Sequence, residues 1–117
     1  MFTKNQILNW LFIEGLAEVE RNWGEVNWLV ESENENELGF KAILADLEDD
    51  GKEYIIDPVV IRRGIRVGFE KRHELGDPYQ RAAFTDLQFG AWDDVDYDAF
   101  TADYLIQLAL FGEVRYS

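Results

Sequence analysis

Gly39-Phe40-Lys41-Ala42-Ile43-Leu44-Ala45-Asp46-Leu47-Glu48-Asp49-Asp50-Gly51-Lys52-Glu53-Tyr54-Ile55-Ile56 is the stretch on which the fold class turns. Phe40, Ile43, Leu44 and Leu47 fall at i, i+3, i+4 and i+7, the spacing of one helix face. Against a helix, Asp46, Glu48, Asp49 and Asp50 would crowd its negative C-terminal end. Asp50-Gly51 also stands between two apolar runs, the second being Tyr54-Ile55-Ile56, and Asp-Gly is a strong hairpin signal. The reading adopted is a β-hairpin of 39–47 with 52–56. It makes the chain α+β; the helical reading would make it mainly α.

Downstream, two Asp-Pro pairs mark helix starts, each with Asp as N-cap and Pro at the first helical position. Asp57-Pro58 opens a helix to about 73 with Ile61, Ile65 and Phe69 on one face, and Arg62, Arg66, Glu70 and His73 on another. Its Gly64 and Gly68 weaken the helix, which points to close approach of another element. Asp77-Pro78 opens a second helix to about Gln88, with Tyr79, Ala82, Ala83 and Leu87 inward and Gly90 beyond its end. The last helix starts at Asp98 or Thr101 and stops at Gly112, a left-handed cap. It is apolar nearly all round, so Gln107 within it must be hydrogen-bonded, because an unpaired buried amide costs about 1–3 kcal/mol.

Upstream, Thr3 and Gln6 have capping-box spacing, with Phe2 and Ile7 at the staple positions. Ile7, Leu8, Trp10, Leu11, Phe12, Ile13 and Leu16 cover more than one face of the helix that follows, which marks it as core, with a dimer interface as the alternative. Trp23, Val26, Trp28, Leu29 and Val30 suit a short helix or a strand. Glu31-Ser32-Glu33-Asn34-Glu35-Asn36-Glu37 is polar on both faces of any strand and reads as a solvated loop. The expected architecture is one domain, 1–117. Three to four helices surround a buried C-terminal helix, with a β-hairpin near 39–56.

Charge is the strongest compositional signal: 24 acidic against 11 basic side chains give −13 over 117 residues. Residues 1–57 carry −10, residues 58–81 carry +3 and residues 82–117 carry −6. A field of that sign repels nucleic acid and attracts basic partners. The only basic region is Arg62, Arg63, Arg66, Lys71, Arg72 and Arg81, and internal pairing with the chain's own acids is its expected role, in preference to contact with phosphates. At 47% apolar with 4 Trp, 8 Phe and 5 Tyr, the chain is globular and not an acidic tail. It has no cysteine, which removes disulfides and thiolate chemistry and fits a reducing cytoplasm. Neither a signal peptide nor a membrane-spanning run is evident, so a cytoplasmic location without membrane contact is expected.

Catalytic constellations are lacking. His73, the only histidine, lies among Lys71, Arg72 and Glu74 and reads as a helix-end cation. Ser32 and Ser117 sit in no nucleophile pattern, and the glycines form neither a P-loop nor a dinucleotide fingerprint. Asp94, Asp96 and Asp98 match positions 1, 3 and 5 of a calcium loop, but Ala99 and Leu105 stand where Gly and Glu are required. Neither a metal nor a cofactor is expected.

Two segments carry a resemblance. Asp57-Pro58-Val59-Val60-Ile61-Arg62-Arg63-Gly64-Ile65, together with Asp93-Asp94-Val95-Asp96 and Thr101 through Tyr116, is similar to small uncharacterised accessory proteins of actinobacterial phages. The resemblance implies a phage-encoded protein acting in the host cytoplasm, and no activity or functional residue.

The expected function is therefore a non-enzymatic acidic binding protein that docks on a basic, nucleic-acid-binding host protein and inhibits or redirects it. The expected contacts are Glu31, Glu33, Glu35, Glu37, Glu48, Asp49, Asp50, Asp93, Asp94 and Asp96. They belong to two acidic groups, which also include Asp46 and Glu53 in the first and Asp98 and Asp103 in the second. Such carboxylate rows resemble the charge density of DNA, although the basic middle segment limits that mimicry. Phe89, Trp92, Tyr97 and Phe100, interleaved with the second group, supply apolar anchors. A homo-oligomeric structural or assembly protein is the alternative, and a divalent-metal-dependent enzyme using the Asp93–Asp98 cluster is a third.

Overall fold

Asp50 and Gly51 both adopt positive φ, 53° and 73°, and reverse the chain between Lys41–Asp46 (β2) and Lys52–Ile56 (β3). The hairpin reading of 39–56 is thus the structure's own, in a computed structural model that describes residues 3–30, 39–92 and 99–116. The chain runs α1 (Lys4–Asn22), β1 (Gly24–Val30), β2, β3, α2 (Pro58–Glu70), a 3-10 turn (Arg72–Glu74), α3 (Pro78–Phe89) and α4 (Ala99–Phe111). The fold is α+β: the described residues form four helices and a three-stranded antiparallel sheet in the order β1-β2-β3. The sequence reading had not paired a third strand; residues 24–30, open there between helix and strand, supply it, and Trp23 caps α1.

Register sorts the strand residues onto two faces. Val26–Leu44–Tyr54 and Trp28–Ala42–Ile56 are aligned across the sheet toward the core, and Glu25–Ala45–Glu53 and Asn27–Ile43–Ile55 away from it. A slip in pairing between Trp28 and Val30 leaves Leu29 out of the ladder, as in a β-bulge.

On the core side, α1 buries Ile7, Leu8, Leu11, Phe12, Leu16 and Val19. Phe12 stacks on Phe40 at 4.2 Å and meets Trp28 edge-on at 5.5 Å. The Thr3–Gln6 capping box forms in both directions. Phe2, the other half of the expected staple, lies outside the described residues.

The C-terminal helix α4 is the centre of the packing, against both α1 and α2. Each of those approaches through a glycine. A methyl group on Gly64 would stand 2.5 Å from the Leu105 carbonyl oxygen, and one on Gly15 would stand 2.9 Å from that of Ala102. Gly68 is closed off in the same way by the Phe84 ring. Gln107, fully buried in α4, has four hydrogen bonds. Its Nε2 donates to Asp103 Oδ1 (3.1 Å) and to the Tyr116 carbonyl (2.8 Å), and its Oε1 accepts the Arg115 and Tyr116 amides (2.8 Å each). One amide therefore fastens the C-terminal segment onto the core.

Three expected helix details differ. The helix from Pro58 ends at Glu70 and tightens into the 3-10 turn, where Arg72 Nη1 donates to the Phe69 carbonyl at 2.7 Å. Its buried side is Val60, Ile61, Gly64 and Gly68, with Ile65 and Phe69 only partly covered, because the glycine side is what α3 and α4 approach. In α3 the inward residues are Gln80, Ala83, Phe84 and Leu87, whereas Tyr79 and Ala82 face water. Polar Gln80 is inside because the Thr101 hydroxyl donates to its Oε1 at 2.7 Å.

Candidate functional site

The β2–β3 connection begins at Asp46, whose side chain shapes it. The Asp46 carboxylate is fully buried; Oδ1 accepts the Glu48 amide (3.0 Å) and Oδ2 the Tyr116 hydroxyl (2.9 Å). The Asp46 carbonyl accepts the Asp49 and Gly51 amides, and the Trp23 carbonyl accepts that of Leu47. Loss of hydration, followed by donation to Asp46 and proximity to its charge, pushes the Tyr116 hydroxyl up to about 12. It stays protonated and keeps the turn tied to the C-terminal segment. Glu48, Asp49 and Asp50 project into water from this braced turn, beside Leu47 at 58% exposure.

The outward sheet face continues from the turn. Glu25 and Glu53 flank Ala45 in one row, separated by two strand spacings, about 10 Å. Asn27, Ile43 and Ile55 form the next row, and Lys41 and Leu29 lie at the far end. Ile55 is 53% and Leu29 47% exposed. Glu25, Glu48, Asp49, Asp50 and Glu53 form no ion pair among the described residues, whose three pairs lie elsewhere. The outcome is an apolar strip beside five carboxylates that have no ion-pair partner among the described residues. Carboxylates of this kind accept short, charge-assisted hydrogen bonds from guanidinium and ammonium groups.

No family model, curated protein or solved structure matches the chain.

Of the expected contacts, Glu48, Asp49 and Asp50 fall together on the turn. Glu31, Glu33, Glu35, Glu37, Asp93, Asp94 and Asp96 lie outside the described residues, as do Asp98 and Tyr97. Two acids counted with the surface groups are interior. Asp46 is one. Asp103 is the other: its Oδ1 accepts from Trp23 Nε1 at 2.9 Å and from Gln107, while burial pushes its carboxyl above the usual carboxylate range. Phe89 and Phe100 are exposed, at 73% and 54%, as anchors must be; Trp92 is half-buried. The sequence reading missed Glu25, Ile43, Ile55 and Leu29, and the signal that finds them is strand parity once 24–30 is paired with 41–46.

The expected internal pairing of the basic region is formed only once among the described residues, and weakly. Arg66 reaches Glu70 only at 4.0 Å, with both side chains well exposed, and Arg62, Arg63 and Arg81 form no ion pair there. Exposed pairs gain about 0–1 kcal/mol, too little to hold long side chains in place. Arg72 instead lies over the Phe69 ring at 4.1 Å, and Lys71 donates to the Gly112 carbonyl.

Among the described residues no three His, Cys, Asp or Glu side chains converge as a metal cage. No described helix is long and apolar enough to cross a membrane.

Proposed function

We propose that the protein is a non-enzymatic binding module that docks its outward sheet face and β2–β3 turn onto a basic protein. The observation that carries this reading is the union, on one braced surface, of exposed Leu29, Leu47 and Ile55 with five carboxylates lacking a partner among the described residues. An apolar strip supplies desolvated contact area, while the carboxylates steer approach and fix register with Arg and Lys. The resemblance of 57–65 and 93–116 to phage accessory proteins supports a partner in a bacterial cytoplasm, and the net charge of −13 favours a protein that itself binds nucleic acid. Occupation of such a protein's basic surface inhibits or redirects it.

Affinity capture at low and at high salt tests the proposal. Wild type is expected to retain basic proteins at low salt and to release them as ionic strength rises, since screening acts within about 10 Å at 0.1 M. Retention that is indifferent to salt, or a set of captured proteins without basic members, contradicts it.

A further inference from the structure

A second concave surface shares no residue with the sheet face. It lies where the start of α1, the middle of α2 and the end of α3 meet, a groove of about 430 Å³. That is within the range of small-molecule sites, roughly 300–1,000 Å³. Its floor is apolar: Ile7 from α1, Ile65 from α2, Leu87 from α3 and the half-buried Trp92 beyond it. The chain reaches Trp92 through Gly90, whose positive φ of 75° caps α3; the indole then folds back to within 3.7 Å of where a Gly90 Cβ would stand. Phe89 forms a wall. Its ring is largely in water, yet Phe69 meets it edge-on at 5.3 Å.

Among the described residues, the charged side chains lining this groove are Lys4 and Arg62, with no carboxylate beside them. Neither forms an ion pair among the described residues. In a chain with 24 acids and 11 bases, two cations without an ion pair among the described residues, lining one apolar groove, run against the chain's net charge. Arg62 also borders a depression that it forms with Val59, Arg63 and Arg66, so positive charge extends from the groove along α2.

We propose that this groove binds a small amphiphilic anion: an apolar body laid over Ile65, Leu87 and Trp92, with a single carboxylate, sulfonate or phosphate held by Lys4 and Arg62. The apolar floor excludes a purely ionic ligand, which would leave it bare. The two cations, without an ion pair among the described residues, favour an anion over a neutral ligand, which would leave them unanswered. A long polyanion is opposed by the net charge of −13.

Isothermal titration with dodecanoate, kept below its micelle concentration, tests the inference, with dodecanol as the uncharged probe and a short DNA duplex as the polyanion. The expected result is one saturable dodecanoate site per chain, with dodecanol binding at least tenfold weaker. K4E/R62E should weaken dodecanoate at least tenfold, about 1.4 kcal/mol, with an unchanged circular dichroism spectrum, since both side chains are exposed. F89S, also at an exposed position, should weaken both probes together. Absence of saturable dodecanoate binding, equal affinity for dodecanol, or full affinity in K4E/R62E would overturn the proposal. Binding of the duplex in place of dodecanoate would overturn it too, in favour of a polyanion contact.

Discussion

Replacing Gln107 with Leu keeps a side chain of similar length in α4 and removes all four of its hydrogen bonds. Asp103 Oδ1 keeps the Trp23 donor, but the Tyr116 carbonyl and the Arg115 and Tyr116 amides lose their partners. At about 1 kcal/mol net per hydrogen bond, the loss is about 3–4 kcal/mol. The expected structural consequence is release of residues 113–116, because water then satisfies the three backbone groups. Release also frees the Tyr116 ring, 5.0 Å from Trp23, and its hydroxyl on Asp46. Urea denaturation should report the loss, and hydrogen exchange should find the Arg115 and Tyr116 amides unprotected. A chain ending at Gly112 makes the test sharper. There the Gln107 amide faces water where the tail lay, so the same Leu substitution should be close to neutral. That loss of effect is the coupling a double-mutant cycle measures. If Q107L cost less than about 0.5 kcal/mol in the full chain with both amides protected, the fastening role assigned to Gln107 would be refuted.

Three further outcomes follow from the packing and the buried ionisable groups. Gly64→Ala gains about 1 kcal/mol of helix propensity, but its methyl would press on the Leu105 carbonyl at 2.5 Å; the backbone cannot yield, and a net loss of about 1–2 kcal/mol is expected from thermal unfolding. Burial raises the Asp103 carboxyl in the folded state above its ordinary 3.8. The folded chain therefore holds the extra proton, and this group's contribution to stability declines as pH rises above 3.8 and through the folded value. Asp103→Asn retains an acceptor for Trp23 and Gln107 and should flatten that decline, standing at least as stable as wild type at about pH 7 in urea titrations. Tyr116, raised from 10.0 to about 12, supports the fold fully below pH 10 and loses that support as pH climbs through about 12. Tyr116→Phe should remove this alkaline dependence and cost about 1–3 kcal/mol near neutrality, measured by denaturant midpoint, by leaving Asp46 Oδ2 without its donor.

Local signals made the helices and the hairpin legible. The capping box at Thr3, the two Asp-Pro starts and Asp50-Gly51 each act within a few residues. Gln107 was legible for a different reason: an amide in an all-apolar helix has to be bonded wherever its partners come from. The close approach at Gly64 and Gly68 was readable from the glycines themselves. Nothing local marked Asp46 and Asp103 as interior. Their partners, Tyr116 and Trp23, lie 70 and 80 residues away, so composition counts them with the surface acids. The candidate site was half visible. Glu48, Asp49 and Asp50 stood out as a charge run, whereas Glu25, Ile43, Ile55 and Leu29 become a surface only through the pairing of three strands. Tyr79 and Ala82 were misplaced because the helical stripe of α3 admits a second phase, which Gln80 secures through Thr101.

In the proposed function a particular surface, and not net charge alone, recruits the basic partner. Affinity capture with E25R/E53R, compared with E70R/E74R, separates the two, because both variants change net charge equally. All four residues are exposed. The account predicts that basic proteins held by wild type are lost from E25R/E53R and kept by E70R/E74R. Recovery of the same proteins by both variants, or their loss from both, would contradict it.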